Sequence, residues 1–260
     1  MARILLEHVD LEFHVGAERH TTLQSAVKRG LGRHRVEHRT VKALQDLNVS
    51  IKSGERVGLI GHNGAGKSTL LKVMAGIYPP QRGTVVIDGH VCPLFEFITG
   101  FEMEATGWEN IRTRALLLGM APKEIDQKIE AIGAFTNLGE FLDIPLRHYS
   151  SGMCVRLAFA TSTAVDPQIL LLDEVMAAGD AAFQETARLR MNELMERASI
   201  VVFATHSLDM LPRFCERTLL LQKGRIAADG PTRDVIGLYA RLQTEAPAGV
   251  GGQSATDHSS

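Results

Sequence analysis

The chain has 260 residues, of which 45% are hydrophobic and 22% charged, enough apolar residues for a large domain with a substantial core. This composition excludes disordered, collagen-like and disulfide-scaffold proteins. The 28 basic and 30 acidic side chains give a net charge of −2, so we expect no nucleic-acid partner, and no apolar run reaches the roughly 18 residues that span a bilayer.

A basic segment, residues 15–40, is the first unusual feature along the chain. Between Val15 and Lys42 there are seven Lys or Arg residues against two acids. Apolar residues recur at helical spacing from Leu23 to Leu31. The pattern predicts a short basic amphipathic helix inserted between two early strands.

Most of the remaining chain alternates strand-like and helix-like segments, as in an α/β fold. Several strand candidates are apolar throughout, which is typical of parallel strands buried on both faces. Residues from about 105 to 165 show only helical periodicity and are predicted to form an inserted helical subdomain. The domain is expected to cover residues 1–242, and residues 243–260 are predicted to be a disordered tail. The predicted strands are Ile4–Val9, Leu47–Ile51, Arg56–Ile60, Thr84–Asp88, Ile169–Leu172, Ile200–Ala204, Thr218–Gln222 and Arg225–Asp229.

The strongest motif is a glycine-rich loop that follows the apolar strand candidate Arg56–Ile60. Its sequence, GHNGAGKST, matches the Walker A phosphate loop. The glycines let successive N–H groups point at phosphate oxygens, and the helix expected from Lys67 adds its positive dipole end. Lys67 is predicted to neutralise the β- and γ-phosphates, and the Ser68 hydroxyl to bind Mg²⁺. The predicted nucleotide-binding residues are Gly61, His62, Asn63, Gly64, Ala65, Gly66, Lys67, Ser68 and Thr69.

Two later strand candidates end in residues suited to the same chemistry. The strand from Ile169 ends in Asp173 and Glu174, an arrangement called Walker B, in which Asp173 is predicted to hold Mg²⁺ through water. Ligands of parallel sheets bind at the carboxyl ends of the strands, so Glu174 is predicted to be the general base that deprotonates the attacking water. His206 follows the strand Ile200–Ala204 and is predicted to contact the γ-phosphate.

A second candidate anion-binding helix start is formed by Ser150, Ser151 and Gly152, which precede a helical run. As a helix cap alone, this sequence is common. A nucleotide held by its own phosphate loop does not need a second helix N-terminus. The alternative is that it serves the nucleotide of a second copy of the chain.

With these motifs in place, residues 4–242 resemble the ATP-binding subunit of ABC transporters. Walker A, the signature Tyr149–Met153, Walker B, the D-loop Ala178–Asp180 and His206 follow one another in the order of that family. One branch of the family is similar to this chain in three features. These are the signature sequence YSSGM, the sequence LDEVMAAGD around Walker B and the basic insertion. That branch exports O-antigen, teichoic acid, capsule or galactan.

The resemblance implies a P-loop NTPase fold of the ABC ATPase type, with a mostly parallel core sheet, an early antiparallel β-subdomain and an inserted helical subdomain. It implies ATP and Mg²⁺ as cofactors and ATP hydrolysis as the activity. It also implies a head-to-tail homodimer, in which Ser150 and Gly152 of one copy contact the γ-phosphate held by Lys67 of the other, with Asp180 also at the nucleotide. A separate membrane-spanning permease is implied, so we expect a peripheral subunit at the cytoplasmic face of the bacterial inner membrane.

This sequence departs from the family pattern in two places. The usual signature, LSGGQ, is matched only at Ser150 and Gly152. Where a glutamine is expected in the Q-loop there is none, and Glu96 is the nearest oxygen ligand and the candidate metal ligand. The adenine usually stacks on an aromatic side chain of an early loop in this family, which makes Phe13 the candidate, since Thr40–Lys42 offers no aromatic residue.

Other functions remain open beside polysaccharide export. A drug or lipid exporter would use the same ATPase, because the substrate path lies in the other subunit. A soluble ABC protein acting on DNA or ribosomes would be expected to carry a long coiled-coil insertion or two cassettes in one chain. A P-loop kinase would need neither the signature nor the Asp-Glu pair followed by a histidine.

Overall fold

The computed structural model describes residues 1–16, 38–95, 100–173 and 181–245. Within these ranges the strands form two sheets, one of three strands and one of six. The strands are β1 (Arg3–Gly16), β2 (His38–Lys52), β3 (Arg56–Ile60), β4 (Arg82–Asp88), β5 (Val91–Leu94), β6 (Ile169–Asp173), β7 (Ile200–Ala204), β8 (Arg217–Gln222) and β9 (Arg225–Pro231). The α-helices are α1 (Lys67–Met74), α2 (Gly107–Leu117), α3 (Pro122–Thr136), α4 (Ser151–Ser162), α5 (Ala181–Arg197), α6 (Leu211–Phe214) and α7 (Thr232–Glu245).

The six-stranded sheet has the order β5-β6-β7-β3-β8-β9. Neighbouring strands from β5 to β8 are parallel, and β9 pairs antiparallel with β8. All five residues of β7 are buried, as its continuous apolar sequence predicts. Because β3, β6 and β7 are parallel neighbours, the residues that follow them lie at the same edge of the sheet.

The three-stranded sheet is antiparallel, with β1 between β2 and β4. Its two long strands extend beyond their predicted ends, because after Val9 the strand β1 carries Asp10, Glu12 and His14 at alternate positions. Alternating polar and apolar residues are typical of a strand with one face near solvent. A search for continuous apolar runs does not detect such a strand. The outer residues of the predicted basic insertion, at both of its ends, therefore belong to β1 and β2. Residues 17–37, which include the predicted basic helix, lie outside the described residues.

Helices α2, α3 and α4, with two short 3-10 turns between α3 and α4, occupy residues 107–162. Helix α2 begins with a capping box, in which the Glu109 side chain accepts a hydrogen bond from the backbone N–H of Thr106. This hydrogen bond lowers the pKa of the Glu109 carboxyl. A separate apolar cluster, including Ile111, Ile132 and Leu157, holds these helices together.

Apolar layers cover both faces of the six-stranded sheet. One layer joins Leu59 of β3 to Leu71 of α1 and to the antiparallel sheet. The other joins Leu170 of β6 to Leu194 of α5. Helix α7 also packs on this second layer through residues that include Leu242, and it continues to Glu245. Residues 243–245, the first of the predicted tail, therefore belong to α7, and residues 246–260 lie outside the described residues.

Candidate active site

The loop between β3 and α1 requires glycine at positions where the chain turns tightly. Gly66, which caps α1, has a φ of 111°, and a Cβ atom there would lie 2.8 Å from the carbonyl oxygen of Ala43. A Cβ atom on Gly61 would lie 2.3 Å from the carbonyl oxygen of Leu221. Left-handed backbone and close backbone neighbours both exclude a larger residue. The loop therefore packs closely against the backbone of β2 and β8.

Lys67 is the first residue of α1 and is only 7% exposed. Its Nζ donates hydrogen bonds to the carbonyl oxygen of Gly61 at 2.8 Å and to that of His62 at 3.3 Å. These hydrogen bonds hold the ammonium group against the start of the phosphate loop that precedes it in the chain. A buried cation of this kind strengthens the binding of an anion, because little water screens it.

A pocket of about 350 Å³, called here the phosphate pocket, opens at this loop. It collects side chains from both sheets and from the start of α1. It unites most of the predicted nucleotide-binding loop with two predicted metal ligands, Ser68 and Asp173, and with the predicted γ-phosphate contact, His206. The lining residues are Phe13, Val41, Lys42, Ala43, Asn63, Gly64, Gly66, Lys67, Ser68, Thr69, Asp173 and His206.

Asp173 and His206 reach the phosphate pocket from neighbouring strands. Asp173 is the last residue of β6 and pairs with Ala204, the last residue of β7. His206 follows two residues later and is exposed. The turn that follows β7 is stabilised by Thr205, whose Oγ1 accepts a hydrogen bond from the backbone N–H of Ser207 at 3.0 Å.

Three predicted loop residues, Gly61, His62 and Ala65, are not part of the pocket lining. Gly61 and Ala65 are buried in the loop. The Nδ1 atom of His62 lies 2.7 Å from the carbonyl oxygen of Asn63. These residues shape the loop rather than line the pocket.

Phe13 lies inside strand β1 rather than in a loop after the first strand, because β1 is longer than predicted. It pairs with Val41 of β2, and its ring packs edge-on against Tyr78, with centroids 5.4 Å apart. The sequence prediction missed Val41 and Lys42 as pocket residues. Only the register of β1 with β2 places them beside Phe13, and the alternation of polar and apolar residues after Val9 was the available signal.

The second helix start, at Ser150, opens on a different pocket. Ser150 caps α4, and its Oγ accepts a hydrogen bond from the backbone N–H of Met153 at 3.3 Å. Ser151 is exposed at the first position of the helix. The pocket here, called the signature pocket, has a volume of about 600 Å³ and shares no lining residue with the phosphate pocket. Its lining residues are Asn137, Leu138, Phe141, Ser150, Gly152, Met153 and Arg156.

Tyr149, which stands where the family usually has leucine, anchors the chain just before α4. Its hydroxyl donates a hydrogen bond to the carbonyl oxygen of Phe141 at 2.6 Å. Burial raises the pKa of this hydroxyl to about 12, so the donor proton stays in place at neutral pH. The contact ties the signature to the 3-10 turn that carries Phe141.

Three predicted site residues, Glu96, Glu174 and Asp180, lie outside the described residues. Glu174 directly follows Asp173 in the chain. The roles predicted for these three residues therefore rest on their positions in the sequence alone.

Comparison with known sequences decides the family. A sequence model described as "ABC transporter" matches residues 44–177, about half of the chain. The O-antigen export system ATP-binding protein RfbE of Yersinia enterocolitica is 46% identical over 196 residues, which are 75% of this chain and 82% of that protein. The chain belongs to the ABC transporter family.

Other relatives in the ABC family point to the same branch. The O-antigen export system ATP-binding protein RfbB of Klebsiella pneumoniae is 41% identical over 197 residues, 76% of this chain and 80% of that protein. The teichoic acids export ATP-binding protein TagH of Listeria innocua is 39% identical over 197 residues, 76% of this chain and 58% of that protein.

The fold is that of solved ABC cassettes. A dimeric ATP-binding cassette in a post-hydrolysis state, bound to ADP and Pi, superimposes with a TM-score of 0.65 at 23% identity, over 88% of this chain and 99% of that one. The family resemblance, the ABC ATPase class and the α/β fold class expected from the sequence are confirmed. In the described residues no helix combines the length and apolarity needed to cross a membrane.

Proposed function

We propose that this ABC protein is the ATP-binding and ATP-hydrolysing subunit of a transporter that exports a lipid-linked cell-surface polysaccharide through a separate membrane subunit. The observation that carries the proposal is the phosphate pocket, in which Lys67, Ser68, Asp173 and His206 face one space. The export systems named for the relatives support the transport role and the substrate class.

The phosphate pocket suits a nucleoside triphosphate with Mg²⁺. The N-terminus of α1 and the Lys67 ammonium supply positive charge for the β- and γ-phosphates. Ser68 and Asp173 both line the pocket, and a hydroxyl and a carboxylate are the oxygen ligands that Mg²⁺ takes beside phosphate. Bound Mg²⁺ would neutralise charge that develops on the phosphate oxygens. Phe13 also lines the pocket, and we assign its ring to stacking on the adenine.

Hydrolysis needs a base beside the γ-phosphate. Glu174 directly follows Asp173, which lines the pocket, so we assign it the role of accepting the proton of the attacking water. His206 contacts the γ-phosphate from the neighbouring strand and helps to orient the reacting group. Asp180 and Glu96 are assigned to the nucleotide and the metal on the family pattern alone.

A homodimer completes the site. The two pockets share no lining residue, so we assign Ser150 and Gly152 to the nucleotide of a second copy rather than to the one held by their own Lys67. A head-to-tail second copy would bring the N-terminus of α4 to the γ-phosphate from the opposite side. Each of the two nucleotides would then be covered by both copies.

A permease and peripheral contact with the cytoplasmic face of the inner membrane complete the proposal. The basic residues Lys28, Arg29 and Arg33 lie in the basic segment of residues 15–40, and each basic residue near an anionic surface contributes about 1 kcal/mol. Replacing these three residues with Gln should leave ATP binding intact and lower transporter-stimulated hydrolysis in membranes. Unchanged stimulation would reduce the basic segment to a spacer.

The whole proposal is tested by Mg²⁺-dependent phosphate release from ATP by the purified chain, together with surface polysaccharide in cells. We expect hydrolysis by the native chain and none by Lys67→Ala. Deleting the gene should leave the polysaccharide inside the cell, and native protein but not Lys67→Ala should restore it to the surface. Normal surface polysaccharide in the deletion strain, together with ATP hydrolysis by the purified native chain, would favour the alternative of a drug or lipid exporter.

A further inference from the structure

Three aromatic rings, called here the aromatic bridge, connect α3, α4 and α5. They belong to Phe135 on α3, Phe159 on α4 and Phe183 on α5. Their centroids are 6.1 Å apart for Phe135–Phe159, 6.1 Å for Phe135–Phe183 and 5.7 Å for Phe159–Phe183. Each pair is stacked or edge-to-face, the geometries that aromatic pairs prefer. Every two of these helices are therefore joined by a ring contact.

Two guanidinium groups lie over two rings of the aromatic bridge, those of Phe183 and Phe135. Arg156 of α4 lies 5.2 Å from the ring centroid of Phe183 on α5. Arg190 of α5 lies 4.9 Å from the ring centroid of Phe135 on α3. Both cation–π contacts join α5 to the helical region. In one of them α5 supplies the ring, and in the other it supplies the cation. They reinforce the same junction as the rings.

This junction connects the two regions that one copy would contribute to the two composite sites. Helix α4 begins at the signature, and Arg156 lines the signature pocket beside Ser150. Helix α5 begins at Ala181, eight positions after Asp173, the end of β6. Phe183 is 5% exposed and belongs to the same apolar cluster as Leu170 of β6. The aromatic bridge thus joins the helix that presents the signature to the core around the Walker B strand.

We propose that Phe183 is a positioning residue for the signature, holding α4, and with it Ser150, in a fixed place relative to β6. This inference rests on the proposed function, in which Ser150 contacts the γ-phosphate held by a second copy. A misplacement of about 1 Å at a reacting group can cost a hundredfold in rate, so the junction controls hydrolysis without touching the nucleotide. The phosphate pocket contains no bridge residue, so binding of ATP by the same chain does not depend on it.

The test is the split between binding and turnover in Phe183→Leu, which keeps an apolar side chain and removes the ring. We expect kcat for ATP hydrolysis to fall by about tenfold, since two ring contacts and one cation–π contact are lost, while the Kd for ATP stays within about twofold of the native value. Phe214→Leu is the matched control. Its ring packs edge-on against Phe203 in the same apolar cluster, with centroids 6.4 Å apart, and both quantities should stay within about twofold.

A second pair of variants keeps the test decisive if Phe183→Leu does not fold. Arg156→Lys keeps a cation over the ring and should retain at least about half of the native kcat, whereas Arg156→Gln should lose about two- to fivefold, the size of one cation–π contact. A native kcat in folded Phe183→Leu, or equal rates in the two Arg156 variants, would overturn the inference. So would a parallel loss of ATP binding in Phe183→Leu, which would show a general structural role. Absence of hydrolysis in the native chain would instead contradict the proposed function.

Discussion

The N-termini of α1 and α4 are both candidates for binding phosphate, but the chain builds them differently. At α1 a glycine cap and a buried lysine face a pocket that also receives Asp173 and His206 from two strands. At α4 the cap is Ser150, whose oxygen already accepts a hydrogen bond from its own helix. The signature pocket draws its lining only from the helical region and, among the described residues, includes no carboxylate.

This difference shows which half of the chemistry each region can perform. The phosphate pocket holds a cation, a hydroxyl, a carboxylate and an imidazole in one space, which is enough to bind a nucleotide with its metal. The signature pocket offers a helix dipole and the Ser150 hydroxyl, which can stabilise phosphate charge but cannot hold a metal or act as a base at neutral pH. We infer that the second region acts on a nucleotide bound elsewhere.

The largest expected effect comes from the base assigned to the phosphate pocket. Glu174→Gln should hydrolyse ATP at least about a hundredfold more slowly, because loss of a general base costs 10²–10⁴ in rate. ATP binding should persist, and a stable ATP-bound dimer should appear in gel filtration. Glu185→Gln, which removes an exposed carboxylate paired with Arg188 on α5, is the control and should keep the native rate. Near-native turnover by Glu174→Gln would place the base at another residue.

The two lysines of the phosphate pocket sharpen the contrast between buried and exposed charge. Lys67→Ala should weaken ATP binding by about ten- to a hundredfold, since a charge-assisted hydrogen bond contributes about 1.5–3 kcal/mol. Lys42, whose side chain is 62% exposed and lies 3.7 Å from Glu12, should matter much less in Lys42→Ala. Equal losses of affinity, measured by titration calorimetry, would remove the special role of the buried ammonium.

Gly224 tests how the phosphate loop is held from behind. Its backbone N–H donates to the carbonyl oxygen of Ala65 at 2.8 Å, its φ is +76°, and a Cβ there would lie 2.5 Å from the carbonyl oxygen of Ala43. Gly224→Ala should lower the free energy of unfolding by about 1–3 kcal/mol and weaken ATP binding. Gly54→Ala, with φ +95° but nothing within 4 Å of its Cβ, carries backbone strain alone and should leave ATP affinity unchanged. Urea unfolding and nucleotide titration check both.

The smallest expected effect concerns the adenine. Phe13→Ala should weaken ATP binding by about 2–12-fold, the equivalent of 0.5–1.5 kcal/mol of stacking, with little change in hydrolysis at saturating ATP. Phe141→Ala removes an exposed ring from the signature pocket and should not alter ATP binding by the monomer. Unchanged affinity in Phe13→Ala would return this ring to a packing role with Tyr78.

How far the sequence could predict the molecule depends on the kind of contact. Strands β3 and β7 have the predicted bounds, since strands buried on both faces are recognisable by their nearly continuous apolar residues. Strand β5, only four residues long and containing Pro93, was missed. It lies at the edge of the sheet, where proline is tolerated and an apolar run is not required.

The site divides in the same way. The Walker motifs are local in sequence, so their residues could be named before the structure was known. The contributions of Val41 and Lys42 depend on the register between β1 and β2, and the aromatic bridge depends on how three helices pack. No local pattern encodes contacts between segments that are distant in sequence.

Complementation between two inactive variants tests the central claim most directly. In a dimer of Lys67→Ala with Ser150→Arg, one composite site carries both lesions and the other carries neither. If the site is formed in trans, mixing the inactive proteins should restore hydrolysis, up to about a quarter of the native rate for random pairing of two-fold symmetric copies. If the mixture stays as inactive as each variant alone, while differently tagged copies are shown to form mixed dimers, the signature pocket does not act on the nucleotide of the second copy.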